Sequence, residues 1–264
     1  MKKGIMFCAL AVLSIGASCF AQSLTGYEIM KKADEVPTAQ TSSYTATMTL
    51  TDKNGKTRIR EVKELSKEFG DTTKTIIIFT TPKDVAGVGY LMFEYKEKPD
   101  GSKKDSDNWL YMPALKKVRR ISGSDSEGDF MGTDFTYEDM GDRALSKDTF
   151  TLLGEEDVDG VSCYKVEAVA KDSAEKNPRR ILWIRKDNFL LAKGEYYDRQ
   201  GALSRKLFCS YIEKIDGWWT TQKMLMQNVQ KKHSTLIEMK NVSYNLNIDD
   251  SLFTVNALEK ERIK

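Results

Sequence analysis

Histidine is almost missing from this chain. The 264 residues contain one, His233. That excludes a multi-histidine zinc site, and a Ser-His-Asp triad would have to be built at a residue set among Lys231, Lys232 and Ser234, which reads as a hairpin surface position. Cysteine is scarce too. Of four, Cys8 and Cys19 fall in the N-terminal segment, leaving Cys163 and Cys209 on what read as non-neighbouring strands. A disulfide needs Cα atoms within about 7 Å, so no cysteine framework holds this fold. Nor is there an excess of charge. The chain has 41 Lys plus Arg against 39 Asp plus Glu, and without Lys2 and Lys3 the count is 39 against 39. A nucleic-acid binder would show a wide positive field, which this balance does not supply. After Phe20 no segment approaches the roughly twenty apolar residues of a membrane-spanning helix.

The one apolar run stands at the start. Lys2 and Lys3 precede an uncharged stretch from Gly4 to Phe20, and Cys19 and Ala21 occupy the small-residue positions before a cut at Gln22. Residues 1–21 therefore read as a secretory signal and 22–264 as a single exported domain, placed in the periplasm. A competing reading takes Gly16-Ala17-Ser18-Cys19 as a loose lipobox that leaves Cys19 acylated, and Gly16 stands where such a box carries a large aliphatic residue.

The punctuation is that of antiparallel strands. Asn54-Gly55 separates Tyr44–Thr51 from Lys56–Leu65, and both positions of such a tight turn need positive φ. Asp159-Gly160, Asp187-Asn188, Gln200-Gly201 and Asp216-Gly217 divide the second half, with Lys171–Pro178 as a longer loop. Tyr44, Ala46, Met48 and Leu50 alternate with threonines, giving one apolar and one wet face. Ile59, Val62 and Leu65 also have helical spacing, but the turn before them favours a strand. Between Leu236 and Leu246 the apolar residues change phase, which predicts a bulge. Helices are expected only at Leu24–Val36, Pro82–Ala86, part of Asp125–Leu145 and after Asp249.

The densest stretch runs from Trp109 to Met140. Lys116, Lys117, Arg119 and Arg120 put four cations into five positions after Pro113, and Gly123, Gly128 and Gly132 then interrupt a loop bearing Phe130, Met131 and Phe135. Apolar side chains on a glycine-rich loop suit a cover over something apolar. Asp134, Glu138 and Asp139 are available for acid–base work and Asp125, Glu127 and Asp129 for a cation, yet the latter fail the calcium-loop pattern because Gly128 precedes the third acid. Met48, Met92, Met112, Met131, Met224 and Met226 offer adaptable, polarizable surface, and Trp109, Trp183, Tyr90 and Tyr111 are candidates for a cavity mouth.

The run Trp109-Leu110-Tyr111-Met112-Pro113-Ala114-Leu115, then Lys117-Val118-Arg119-Arg120-Ile121-Ser122 and Phe130-Met131-Gly132-Thr133-Asp134-Phe135-Thr136-Tyr137-Glu138-Asp139, resembles the signature of the LolA-like outer-membrane lipoprotein-sorting family. The likeness is to its longer branch, associated with RND-type permeases. It extends to Phe79–Gly87, Trp183–Asp187 and Phe253, and departs at Thr133, where a serine is more usual. The resemblance implies a mainly β fold, an unclosed antiparallel barrel of about eleven strands with short helices as lid over an apolar cavity. It implies a periplasmic carrier of lipoprotein or lipid acyl chains, fed by an RND-type permease or an ABC release complex, delivering to an outer-membrane acceptor. It carries over no catalytic residue, metal or cofactor. On the signature, Trp109, Tyr111, Arg119, Arg120, Phe130, Met131, Asp134 and Phe135 form lip and lid, with Arg119 or Arg120 pairing with Asp134. The alternative is a non-catalytic adaptor that docks a permease or envelope protein with a filled core. A carboxylate enzyme would need a polar cleft with two convergent acids.

Overall fold

The computed structural model describes residues 24–98 and 101–260; the proposed leader, 1–21, lies outside them. After a first helix α1 (Gly26–Asp34), six strands follow: β1 (Thr41–Thr51), β2 (Thr57–Phe69), β3 (Thr72–Thr81), β4 (Gly89–Tyr95), β5 (Asp107–Met112) and β6 (Lys117–Ile121). A stretch of short 3-10 turns, residues 122–147, leads to seven more: β7 (Asp148–Val158), β8 (Val161–Ala170), β9 (Arg179–Arg185), β10 (Leu191–Tyr197), β11 (Leu203–Ile215), β12 (Trp218–Asn228) and β13 (His233–Tyr244). A short helix α2 (Val255–Glu259) ends the described chain.

All thirteen strands form one antiparallel sheet in the order β6-β5-β4-β3-β2-β1-β13-β12-β11-β10-β9-β8-β7. β6 and β7 follow one another in the chain but lie at opposite edges, so the sheet is unclosed and residues 122–147 must bridge its mouth. The count exceeds the expected eleven. The cationic segment 117–121 is an edge strand, bonded on one side only, where exposed charge is tolerated and blunts further pairing.

Local chemistry sets these elements. At α1, Thr25 and Glu28 form a reciprocal capping box. Gly26 lets the helix lie against β7, since a Cβ there would sit 2.9 Å from the backbone of Phe150–Leu152. In both Asp159-Gly160 and Asp216-Gly217 each residue has positive φ, as such hairpin turns require. The phase change in β13 is a bulge: the β1–β13 register slips opposite Tyr44, and Asn241 has φ 53°. Segment 82–86 makes a single turn, with Val85 and Ala86 both donating to the Pro82 carbonyl.

Alternation divides the side chains between two faces. On the inner face Ala46, Met48, Val62, Phe79, Tyr90 and Met226 build the main core, while Ile29 of α1 packs on Val166 and Ile184. On the outer face Leu65, Ile76, Leu91 and Tyr111 are covered by Ile248, Phe253 and Leu258 of the C-terminal segment. Among the described residues no helix is long and apolar enough to cross a membrane.

Candidate functional site

The segment bridging the two sheet edges folds inward as a tight loop. Asp129 and Thr136 form a lone antiparallel bridge, and Phe130 N donates to the Phe135 carbonyl at 2.7 Å. Met131 (φ 49°) and Gly132 (φ 75°) turn the chain between them. The hydroxyl of Thr133 donates to the Phe130 carbonyl at 2.8 Å, closing the loop from within. The loop aims two phenylalanines at the inner face. Phe130 is fully buried among Phe79, Tyr90 and Tyr137, with ring centroids 6.0, 5.3 and 5.4 Å away. Phe135 is buried beside it and faces a cavity.

This cavity, about 370 Å³, lies between the lid, α1 and strands β7 to β12. Its apolar wall includes Met30, Phe135, Phe150, Leu182, Leu207 and Met226. Its lining also includes the buried polar residues Asp148, Asn177, Arg180 and Arg205. A second cavity of about 410 Å³ is lined by Lys103, Asn108, Glu138, Lys147 and Arg199 at the seam between the sheet edges. The first volume falls within the range of small-molecule sites.

Polar contacts fasten the lid on both sides of the mouth. The Asp134 carboxylate lies 2.6 Å from Nδ1 of His233 and accepts from the Thr235 hydroxyl at 2.8 Å. Arg205 donates to the Asp134 carbonyl at 3.0 Å, pairs with Asp139 and donates to Asn177 Oδ1 at 2.9 Å. Arg143 binds Asp148, Glu138 and Glu175, and Lys231 reaches Asp129 at 2.6 Å. Arg60 donates to the Met131 carbonyl. Asp129, Glu138 and Asp139 of the lid are thus each paired with a lysine or an arginine. Of the acids considered for calcium, Asp125 pairs with Arg119 and Asp129 with Lys176 and Lys231, while Glu127 accepts from Lys176.

Several inner-face groups are shifted. Burial raises the carboxyl of Glu64, which accepts from the Tyr44 hydroxyl, to about 7. Burial and the neighbouring Asp142 carboxylate raise Glu94 likewise to about 7, and Glu94 accepts from the Asp142 backbone N–H at 2.6 Å. Burial pushes the Cys209 thiol up to about 12, which leaves it inert as a nucleophile. Among the described residues the buried Tyr90 hydroxyl has no hydrogen-bond partner.

Of the expected residues, Phe135, Met224 and Met226 line the first cavity and Met92 the second, while Met48, Tyr90 and Phe130 are packed in the core with Met112 and Met131 at its margin. The structure does not bring in Trp109, Tyr111 or Trp183. On β5 the inward positions belong to Leu110 and Met112, so Trp109 and Tyr111 turn outward beneath the C-terminal segment. On β9 Leu182 and Ile184 face α1, and Trp183 lies outward with Cys163 under Lys193, whose Nζ is 3.9 Å from the ring centroid. Cys209 packs against the inner-face core, so the two cysteines sit on opposite faces. The expected Asp134 partner is also corrected. Arg119 and Arg120, on the far edge strand, pair with Asp125 and Asp107, whereas Asp134 lies against β13.

An antiparallel sheet that curls without closing, with a helix and an inward lid on one face, defines a LolA-like open barrel. A family model described only as an uncharacterised protein matches residues 71–260. A DUF1329 family protein from Desulfovibrio piger is 36% identical over 88% of this chain and 97% of its own, with a TM-score of 0.81. A domain from Vibrio parahaemolyticus, provisionally named an outer-membrane lipoprotein-sorting protein, is 29% identical over 89% of this chain and 98% of its own, with a TM-score of 0.80. A LolA superfamily protein from Nitrosomonas europaea shares the fold at 19% identity, covering 89% of this chain and 100% of its own, with a TM-score of 0.65. No curated protein matches the sequence. The chain belongs to the DUF1329 family, and its fold is the LolA-like open barrel.

Proposed function

We propose that this protein is an exported, non-enzymatic carrier that encloses acyl chains of lipoproteins or lipids and delivers them towards the outer membrane. The observation that carries this reading is the apolar cavity lined by Phe135 of the lid loop. The Vibrio relative's designation supports the same direction. The leader at residues 1–21 supports release into the periplasm, with an inner-membrane permease of the RND type or an ABC release complex as donor and an outer-membrane acceptor.

The energetics suit transport. Each methylene withdrawn from water contributes about 0.8 kcal/mol, so a chain of ordinary length offsets the cost of shifting the lid without any catalytic group. A cargo that displaces the lid loses part of its gain to the broken Asp134 contacts, which keeps affinity moderate and release possible.

A fluorescent polyene fatty acid tests this. It should bind saturably, be displaced by phospholipid, and bind at least tenfold more weakly to Leu182→Trp, which fills the cavity. Unsaturable binding, or equal binding by the filled variant, would contradict the proposal.

A further inference from the structure

The lidded end of the barrel carries an unusual rim. The register pairs Thr51 with Thr57 and with Ser234, Met112 with Lys117, and Asn228 with His233. Consequently the turns 52–56, 113–116 and 229–232 lie at one end of the sheet, together with the 82–88 turn that follows β3. The lid is tied to the same end through Lys231 and His233.

Exposed cations crowd these turns: Lys53 and Lys56 on the first, Lys83 on the second, Lys116 and Lys117 on the third, Lys232 on the fourth. Within the described residues none of these six forms an ion pair, whereas Lys176, Arg199 and Lys231 at the same end all do. Two acids stand among them, and Asp52 already accepts from the N–H groups of Asn54 and Lys56. Leu115, 59% exposed, is the most exposed aliphatic residue described, and it stands at the tip of the β5–β6 hairpin directly before two lysines. The tip is held out firmly, by Pro113 at the start of a 3-10 turn and by Lys116 in a left-handed conformation. Ile59 and Val229 are exposed at the same rim.

An aliphatic tip flanked by unpaired lysines matches the interface of an anionic bilayer, where phosphates meet the ammonium groups and the apolar side chain reaches the acyl boundary. We propose that this rim docks the protein onto an anionic lipid surface, with Leu115 entering the headgroup layer and the lid loop facing the membrane. The inference stands on the rim alone and does not require the cavity to hold an acyl chain.

Co-sedimentation of the exported chain with phosphatidylcholine vesicles, with and without an equimolar share of phosphatidylglycerol, tests it. The protein should sediment with the anionic vesicles only and be released by high salt. Each lysine near such a surface contributes roughly fivefold to partitioning, so Lys116→Gln with Lys117→Gln should lower it by about tenfold or more. Leu115→Asp should weaken it several-fold, and Lys53→Gln with Lys56→Gln repeats the test on the neighbouring turn. Lys214→Gln, at the opposite end, should change nothing. Equal partitioning onto both vesicle types, failure to sediment with either, or undiminished binding by both lysine pairs would overturn the proposal. Leu182→Trp, which fills the cavity, should sediment as the wild type does, so failure of docking leaves the carrier reading intact and an empty cavity leaves docking intact.

Discussion

Asp134 of the lid and His233 of β13 meet at 2.6 Å, 99 positions apart in sequence, and Thr235 completes the contact on the same strand. Their side chains are 3% and 25% exposed, so the pair is largely shielded from water. Replacing His233 by Ala strips a partner from a buried carboxylate. We expect a loss of about 2–4 kcal/mol in urea denaturation, with faster amide exchange confined to residues 129–136. Unchanged exchange there would show that the contact does not hold the lid.

Phe130 anchors the lid by packing. It is fully buried against Phe79, Tyr90 and Tyr137, so Phe130→Ala should cost about 3–5 kcal/mol. A cost below 1 kcal/mol would mean that the loop contributes little to the core.

The response to pH follows from Glu64 and Glu94. Both carboxyls titrate near 7 in the folded chain, above the ordinary value of 4.5. The folded state therefore holds protons that the unfolded state has released, and stability falls as pH rises from about 4.5 to 7 before levelling off. Both residues are part-buried, and a shift of this kind is worth on the order of 1 kcal/mol or more for each. Denaturation midpoints measured across this range should decline, and the double change Glu64→Gln and Glu94→Gln should flatten the decline. A slope identical in wild type and double variant would rule these groups out as its source.

Tyr90 presents to the core a hydroxyl that has no partner among the described residues. Tyr90→Phe removes the stranded group while keeping the ring against Phe130, and should stabilise the protein by about 1 kcal/mol. A destabilised variant would indicate that the hydroxyl is satisfied in solution.

Much of the architecture was legible from local chemistry. Asp159-Gly160 and Asp216-Gly217 announced hairpins because few other residue pairs tolerate two positive φ angles. At Asn54-Gly55 the hairpin forms through a wider 52–56 turn in which Gly55 has positive φ and Asn54 does not, and the phase slip after Met239 announced the bulge at Asn241. Local pattern carries no information on which side of a strand is later covered. Trp109, Tyr111 and Trp183 were therefore expected in the cavity mouth and lie on the outer face, where the C-terminal segment shields the first two and lysines overlie the third. The contacts of Asp134 with His233 and Thr235 were hidden for a related reason, since the partners are distant in sequence. A signal did exist: His233 and Thr235 share the inward phase of Ile237, and Arg205 that of Leu207, and polar groups on an apolar face require partners. The signature picked out Phe130, Asp134 and Phe135, but not what they touch.

The central claim is that the cavity behind this lid carries acyl chains. Native mass spectrometry of the protein purified from its own envelope, followed by extraction and identification of whatever co-purifies, tests it most directly. The account predicts an added mass that resolves into a phospholipid or an acylated peptide and that is lost in Leu182→Trp. A clean apo mass, unchanged after incubation with phospholipids and lipopeptides, would contradict it.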